Sequence, residues 1–189
     1  MISDHLAPAL VPARWRVITA ASVAAVEVAL AWRLGWTAPL AAYLYLGAAV
    51  TVAVVIDART FTMPNVLLLP SYPIGIGLLA AASSADARWW PLGRAVIAMA
   101  AVASFYLVLA LVAGGQRMGL ADVTLGGLLG LLLGWVSWSA LSTGVILGWV
   151  IALAAILVWP PGRRGQRAGA IPAGPCLWLG ALVAILVTK

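Results

Sequence analysis

The stretch Ala38-Pro-Leu-Ala-Ala-Tyr-Leu-Tyr-Leu-Gly-Ala-Ala-Val-Thr-Val-Ala-Val-Val-Ile56 contains no charged residue and ends against Asp57. An α-helix needs about 20 apolar residues to cross a bilayer core of about 30 Å. This stretch is apolar throughout, whereas a strand of a membrane barrel would alternate between apolar and polar residues. It therefore predicts a transmembrane helix.

Similar apolar runs fill most of the chain. Of the 189 residues, 65% are hydrophobic and 8% are charged, and the mean hydropathy of +1.10 is far above that of soluble domains. The other runs cover residues 17–32, 66–82, 92–113, 123–143, 144–159 and 174–187. We predict an all-α fold, a polytopic transmembrane helical bundle of six or seven spans. It forms a single domain, residues 1–189, in which residues 1–16 are a cytoplasmic tail. The boundary between the fifth and sixth spans is drawn at Ser142-Thr-Gly144, which is either a tight turn or a kink inside one long element.

Composition excludes several kinds of site. The chain contains one cysteine, Cys176, so an internal disulfide and a multi-cysteine zinc site are excluded. The one histidine, His5, lies in the leading tail, which leaves no histidine for a Ser/His/Asp triad within the membrane. The short basic cluster Arg163-Arg-Gly-Gln-Arg167 is typical of a segment that rests on anionic lipid. We expect no nucleic-acid partner, no metal and no other cofactor.

Acidic residues are rare, with five in the whole chain, and three of them lie in or beside apolar runs. A carboxylate near the membrane core is costly and usually has a function. Asp122 precedes an apolar run, where an aspartate also caps a helix and favours the helix dipole. Asp57 ends a run, where its charge opposes the dipole, so a capping role does not explain it. Glu27 is either a protonated, hydrogen-bonded side chain in the bundle interior or a proton relay.

The basic residues predict the orientation of the bundle. With the N-terminus in the cytosol, seven of the eleven basic residues fall on the cytoplasmic side, as the positive-inside rule requires. Asp57, at the end of the second span, and Asp122, at the start of the fifth, then lie on the same cytoplasmic side. We therefore expect the two carboxylates to converge.

Glycines and prolines predict local packing near these aspartates. Gly126, Gly130 and Gly134 recur every four residues, which gives one face of the fifth span a flat strip for a neighbouring helix. Pro64 and Pro70 are expected to stop a regular helix from crossing the loop after Asp57, and Asn65 is expected to hydrogen-bond freed backbone groups there.

Three ordered motifs resemble those of the type IV prepilin peptidase family. They are Ile56-Asp57 followed by Met63-Pro64-Asn65 and Pro70, then Gly119-x-x-Asp122-Val123-x-Leu125, then Ile171-Pro-Ala-Gly-Pro175 before the last span. The chain looks like the short, peptidase-only form of that family. Its methylating members carry an added N-terminal region with paired cysteines, and this sequence has no cysteine before Cys176, so we expect no methylation.

The resemblance implies an intramembrane aspartic endopeptidase that cuts the short basic leader of type IV prepilin-like proteins. Cleavage would occur on the cytoplasmic side of the bacterial inner membrane. Asp57 and Asp122 match the two catalytic aspartates, and Pro64, Asn65, Gly119 and Ala121 would support the site. Two such carboxylates share one proton, so that one activates water while the other polarises the scissile carbonyl.

Two positions depart from the family pattern. Ala121 stands where a glycine usually precedes the aspartate, and Thr124 stands where a lysine is usual. If the backbone at Ala121 needs a positive φ, the alanine strains the site. The alternatives are a proton-coupled transporter that uses Asp57, Asp122 and Glu27, and an inactive membrane scaffold in pilus assembly. A transporter often shows two related halves, and the sequence has no internal repeat.

Overall fold

The computed structural model describes residues 13–60, 62–112, 120–158 and 173–188. This part of the chain contains seven helices and no strand. They are α1 (Ala13–Leu34), α2 (Leu40–Thr60), α3 (Asn65–Ala85), α4 (Trp90–Val112), α5 (Leu120–Val136), α6 (Trp138–Val158) and α7 (Ala173–Val187). Five of them, namely α1, α2, α3, α4 and α6, are long and apolar enough to cross a membrane. The predicted all-α, multi-pass membrane fold is confirmed.

The two shorter helices lie at the centre of the bundle. α5 has 17 residues, and its ten residues from Leu125 to Gly134 are all buried. α7 has 15 residues and is also largely buried. α4 packs along α5, α6 packs along α7, and α1 packs along α2. The long helices therefore shield the short ones from the surroundings of the bundle.

Two buried hydrogen bonds tie α2 to these central helices. The Tyr43 hydroxyl donates to the Leu132 carbonyl of α5 at 2.6 Å. The Trp178 indole N–H of α7 donates to the Thr51 hydroxyl at 3.1 Å. A buried hydroxyl or indole N–H without a partner would cost about 1–3 kcal/mol, so these bonds favour a single arrangement of the three helices.

The predicted glycine strip on α5 is confirmed as a helix contact. A Cβ atom built at Gly130 would lie 2.7 Å from the Ala98 carbonyl oxygen and 3.0 Å from the Met99 Cα of α4. At Gly134 it would lie 3.0 Å from the Ala95 Cα. The backbones of α4 and α5 therefore approach so closely that only glycine fits at these positions.

The boundary between the fifth and sixth helices lies at Ser137, and the prediction of a turn at Ser142-Thr-Gly144 was wrong. The Ser137 hydroxyl accepts the Ala140 N–H at 2.9 Å, as a residue that caps a helix N-terminus does. Gly144 lies inside α6, where it packs against Leu133 and Ala184. Composition did not reveal the break because the apolar character is the same on both sides of it.

An arginine from a neighbouring helix caps the C-terminus of each short helix. Arg94 of α4 donates to the carbonyls of Gly134 at 2.6 Å and Val136 at 2.8 Å, and also to that of Trp135. Arg33 of α1 donates to the Leu186 carbonyl at 3.2 Å and to the Thr188 carbonyl. These carbonyls have no partner within their own helix, and the cations also complement the negative end of the helix dipole.

The prolines after Asp57 behave differently from one another. Pro64 directly precedes α3, with φ of −77° and ψ of 93°, as predicted for a residue that keeps the helix from extending backwards. The prediction for Pro70 was wrong, because α3 continues through Pro70 and Pro73. Packed transmembrane helices tolerate such prolines when neighbouring groups satisfy the freed carbonyls.

Candidate active site

Asp57 lies in the last turn of α2 and is buried, with 7% of its surface exposed. Its carboxylate accepts a hydrogen bond from the backbone N–H of Gly174. Gly174 lies in the first turn of α7, where backbone N–H groups have no partner within the helix and the dipole is positive. The negative end of the α2 dipole disfavours the Asp57 carboxylate. The positive N-terminus of α7 compensates for this.

Gly174 reaches Asp57 because it has no side chain. A Cβ atom built at Gly174 would lie 2.8 Å from the Asp57 Oδ2 atom and 2.7 Å from the Met63 Cε atom. Both distances are shorter than any ordinary carbon contact. A larger residue at this position would therefore displace the carboxylate, the methionine or the start of α7.

Asp122 lies in the first turn of α5 and is half-buried. Its carboxyl group is close enough to interact electrostatically with Asp57 and with the Tyr106 phenol of α4. The predicted convergence of the two aspartates is therefore present at one end of the bundle. The end of α2 and the starts of α5 and α7 build this end together.

The backbone around Asp122 is an ordinary helix. Ala121 is the second residue of α5, and among the described residues other than glycine only Ala87 has a positive φ. The alanine that departs from the family pattern therefore causes no backbone strain here. Thr124 donates its hydroxyl to the Leu120 carbonyl at 3.0 Å, within its own helix.

The other predicted supporting residues are Pro64, Asn65 and Gly119. Pro64 directly precedes α3 and Asn65 is its first residue, with an exposed side chain. No side chain caps the α3 N-terminus, so the backbone bonding expected of Asn65 is not observed there. Gly119 lies outside the described residues.

Tyr72 and Tyr106 are near the site, and sequence reasoning missed both. The Tyr72 hydroxyl of α3 donates to the Thr124 carbonyl at 2.7 Å, which fixes α3 against the helical turn that follows Asp122. Tyr106 is 2% exposed, and its ring packs on Gly126. A tyrosine inside an apolar span is the available signal, because its hydroxyl requires a polar partner.

Arg59 and Glu27 have neighbours outside the acidic pair. The Arg59 guanidinium lies 3.7 Å above the centre of the Trp15 ring of α1. The Glu27 Oε1 atom faces Gly47 of α2 and has no hydrogen-bond partner within the described part of the chain. Gly47 precedes Asp57 by ten residues, or about 15 Å of helix at 1.5 Å per residue. Glu27 is therefore separate from the acidic pair, which weakens the alternative in which the three acids act together.

The fold and this site define a multi-pass helical membrane protein with two carboxyl groups gathered at one end of its bundle. Residues 44–160 match the model of the type IV leader peptidase family, and the chain belongs to this family. The predicted family is thereby confirmed.

Two curated relatives carry the same description. The chain is 30% identical over 162 residues to the prepilin leader peptidase/N-methyltransferase of Stutzerimonas stutzeri. It is 28% identical over 162 residues to the protein of that description in Pseudomonas aeruginosa. Each match covers 83% of this chain and 53% of the relative, so the chain spans about half the length of these relatives. No solved structure is significantly similar to the chain.

Proposed function

We propose that this protein is an aspartic endopeptidase that cleaves the leader of a prepilin-like protein, with Asp57 and Asp122 as its catalytic pair. The observation that carries the proposal is the electrostatic interaction between these two carboxyl groups at one end of a membrane bundle. Family membership supports the class of reaction, and the names of the two relatives support the substrate.

The proposed chemistry requires one proton shared between the two carboxyl groups. Like charges at short range in a desolvated site do not both ionise easily, so one aspartate is ionised and the other protonated. The ionised member takes a proton from water, whose oxygen bonds to the scissile carbonyl carbon. The protonated member donates to the carbonyl oxygen. When the C–N bond breaks, the amine leaves with the proton taken from water. The former carbonyl oxygen returns its proton to the aspartate that donated it, so the pair regains its starting state.

We place the reaction on the cytoplasmic side of the bacterial inner membrane. Arg59 follows Asp57 by two residues, and the sequence predicts that the more numerous basic residues fall on the same side as the pair. The proposal covers peptide-bond cleavage alone. The N-methyltransferase activity in the relatives' names is not extended to this chain, which spans about half of their length.

The test compares Asp57→Asn and Asp122→Asn with the unmodified protein, using a prepilin of Stutzerimonas stutzeri in membranes that contain equal amounts of each protein. Each substitution is expected to lower the rate of product formation by about a thousandfold or more, since residues that act as a unit fail together. Asp86→Asn is the matched control, because Asp86 is exposed at the C-terminus of α3. Near-normal cleavage by either site variant would refute the catalytic pair. An unmodified protein that cleaves no prepilin would favour the inactive scaffold.

A further inference from the structure

The Asp57 carboxyl group is buried beside a methionine from the loop that follows α2. Asp57 is 7% exposed, although it lies in the last turn of its helix. The chain returns to it at Met63, directly before Pro64 and the start of α3. A Cβ atom built at Gly174 would lie 2.7 Å from the Met63 Cε atom and 2.8 Å from the Asp57 Oδ2 atom. Met63, Gly174 and the Asp57 carboxyl group therefore meet at one point.

The two neighbours of this carboxyl group differ in chemistry. Gly174 donates its backbone N–H to the Asp57 carboxylate. The Met63 side chain donates no hydrogen bond, and its thioether sulfur is only a weak acceptor. Met63 is partly buried and packs against the hydrophobic core. Apolar atoms therefore occupy a place beside Asp57 where an exposed carboxylate would hold water.

Hydrogen bonds hold the backbone on both sides of Met63. Before it, the backbone N–H and the hydroxyl of Thr62 both donate to the Thr60 hydroxyl oxygen, at 3.3 Å and 2.7 Å. The Thr60 hydroxyl is itself bonded to the Ile56 carbonyl at 2.9 Å, which anchors the turn to the end of α2. After it, the Pro64 carbonyl accepts the Leu67 N–H at 2.9 Å. The turn therefore fixes Met63 beside Asp57.

We propose that Met63 is a positioning residue that covers Asp57 and keeps bulk water off its carboxyl group. The inference rests on the proposed function, because shielding from water is what makes two neighbouring carboxyl groups share one proton. Without the thioether, water would solvate Asp57 and the pair would no longer hold that proton. Met63 therefore acts on the reaction through Asp57, in the same way that Gly174 does from the other side of the contact.

The first arm of the test measures the cover without any substrate. The purified protein is treated with a water-soluble carbodiimide and glycine ethyl ester, and the modification of each aspartate is followed by peptide mass spectrometry. Met63→Ala is expected to raise the rate at Asp57 by about fivefold or more, because water and reagent then reach the carboxyl group. The exposed Asp86 gives the reference rate in the same sample. Met99→Ala is the matched control, since Met99 is also partly buried against the core but packs at Gly130 of α5.

The second arm measures cleavage of a prepilin by the same variants. Met63→Ala is expected to lower kcat by about tenfold and to change KM by less than about twofold, because the loss affects the reacting pair and not substrate binding. Met63→Leu is expected to keep a kcat close to that of the unmodified protein, since leucine is apolar and similar in volume. Met63→Gln keeps the length of the side chain but ends in an amide, and it is expected to lower kcat as Met63→Ala does. Met99→Ala is expected to leave kcat unchanged.

The outcomes separate this inference from the proposed function. An unchanged rate of Asp57 modification in Met63→Ala would overturn the cover. Faster modification with an unchanged kcat would overturn the positioning role, because the reaction would not need the shielding. If Met63→Ala does not fold, Met63→Gln decides, and a kcat equal to that of Met63→Leu would overturn the proposal. Faster modification in Met63→Ala of a protein that cleaves no prepilin would support the cover and refute the peptidase.

Discussion

Gly174 fixes the geometry around Asp57 with its backbone alone. Its N–H donates to the carboxylate, and its missing side chain lets Asp57 and Met63 approach. We expect Gly174→Ala to lower the cleavage rate by roughly tenfold or more, because an added Cβ would lie 2.8 Å from the Asp57 carboxylate and displace it. The control is Gly77→Ala, where a Cβ atom meets nothing within 4 Å and alanine favours the helix. Equal rates for both variants would show that the contact with Gly174 is not needed.

A substitution at Ala121 tests whether the backbone next to Asp122 is strained. Because this position is helical, we expect Ala121→Gly to leave turnover unchanged or slightly lower and to reduce stability by about 0.5–1 kcal/mol. Turnover with a prepilin and thermal unfolding in detergent measure the two effects. A rise in turnover of about tenfold, equivalent to ~1.4 kcal/mol in the barrier, would show instead that the alanine strains the active conformation.

At the residue scale, the important charged side chains could be predicted from the sequence. The contacts between side chains could not. Asp57 and Asp122 were recognisable because a carboxylate at the edge of an apolar run needs an explanation. Tyr72 and Tyr106 were not, because their importance depends on which helices pack together. Gly174 lies in a motif that carried the resemblance, but only the packing of α7 on α2 shows that its backbone N–H reaches Asp57.

At the scale of the helices, α5 and α7 combine short length with capped C-termini. Arg94 and Arg33 satisfy the last carbonyls of these helices, and the opposite ends carry Asp122 and Gly174. The capped end of α5 lies about 20 Å from Asp122 at 1.5 Å per residue. Arg94 thus fixes the end of α5 that lies opposite the site.

We therefore expect Arg94→Gln to lower both the thermal stability and the cleavage rate. A carbonyl that is fully shielded from water and left without a donor costs about 1–3 kcal/mol, and Arg94 serves three part-buried carbonyls. Arg94→Lys is expected to recover part of the loss, because lysine keeps the charge without the planar fork of donors. Arg88→Gln is the control, since Arg88 is exposed in the loop before α4. Unfolding temperature in detergent and cleavage are measured for all three variants, and a stability of Arg94→Gln equal to that of Arg88→Gln would refute the capping role.

The extent of each helix was less predictable than its existence. All seven apolar runs became helices, because a long apolar segment in a membrane has no other way to satisfy its backbone. The break at Ser137 depends on the Ser137 hydroxyl and on Arg94, which comes from another helix. Hydropathy along the chain does not reveal a hydrogen bond from another helix. The predicted boundary between α5 and α6 was therefore wrong by several residues.

For the whole molecule, the site requires three helix ends to meet on one side of the membrane. The contact of Gly174 with Asp57 and the interaction of Asp122 with Asp57 place the end of α2 and the starts of α5 and α7 together. Ala87 lies in the loop after α3, at the other end of that helix from Asn65. If α3 crosses the bilayer, Thr60 and Ala87 lie on opposite sides.

The last prediction assigns these sides. Single cysteines at Thr60 and Leu120, in a Cys176→Ser background, are expected to react with a membrane-impermeant thiol reagent only in inside-out vesicles. A cysteine at Ala87 is expected to react only in right-side-out vesicles or intact cells. The reason is the prediction from the sequence that seven of the eleven basic residues lie on the cytoplasmic side together with the two aspartates. All three positions are exposed in the structure, so a lack of reaction would not be due to burial within the protein. Labelling of Thr60 and Leu120 from opposite faces would separate the aspartates across the bilayer and refute the catalytic pair. Labelling of both from the outside would keep the pair but move the proposed cleavage to the other side of the membrane.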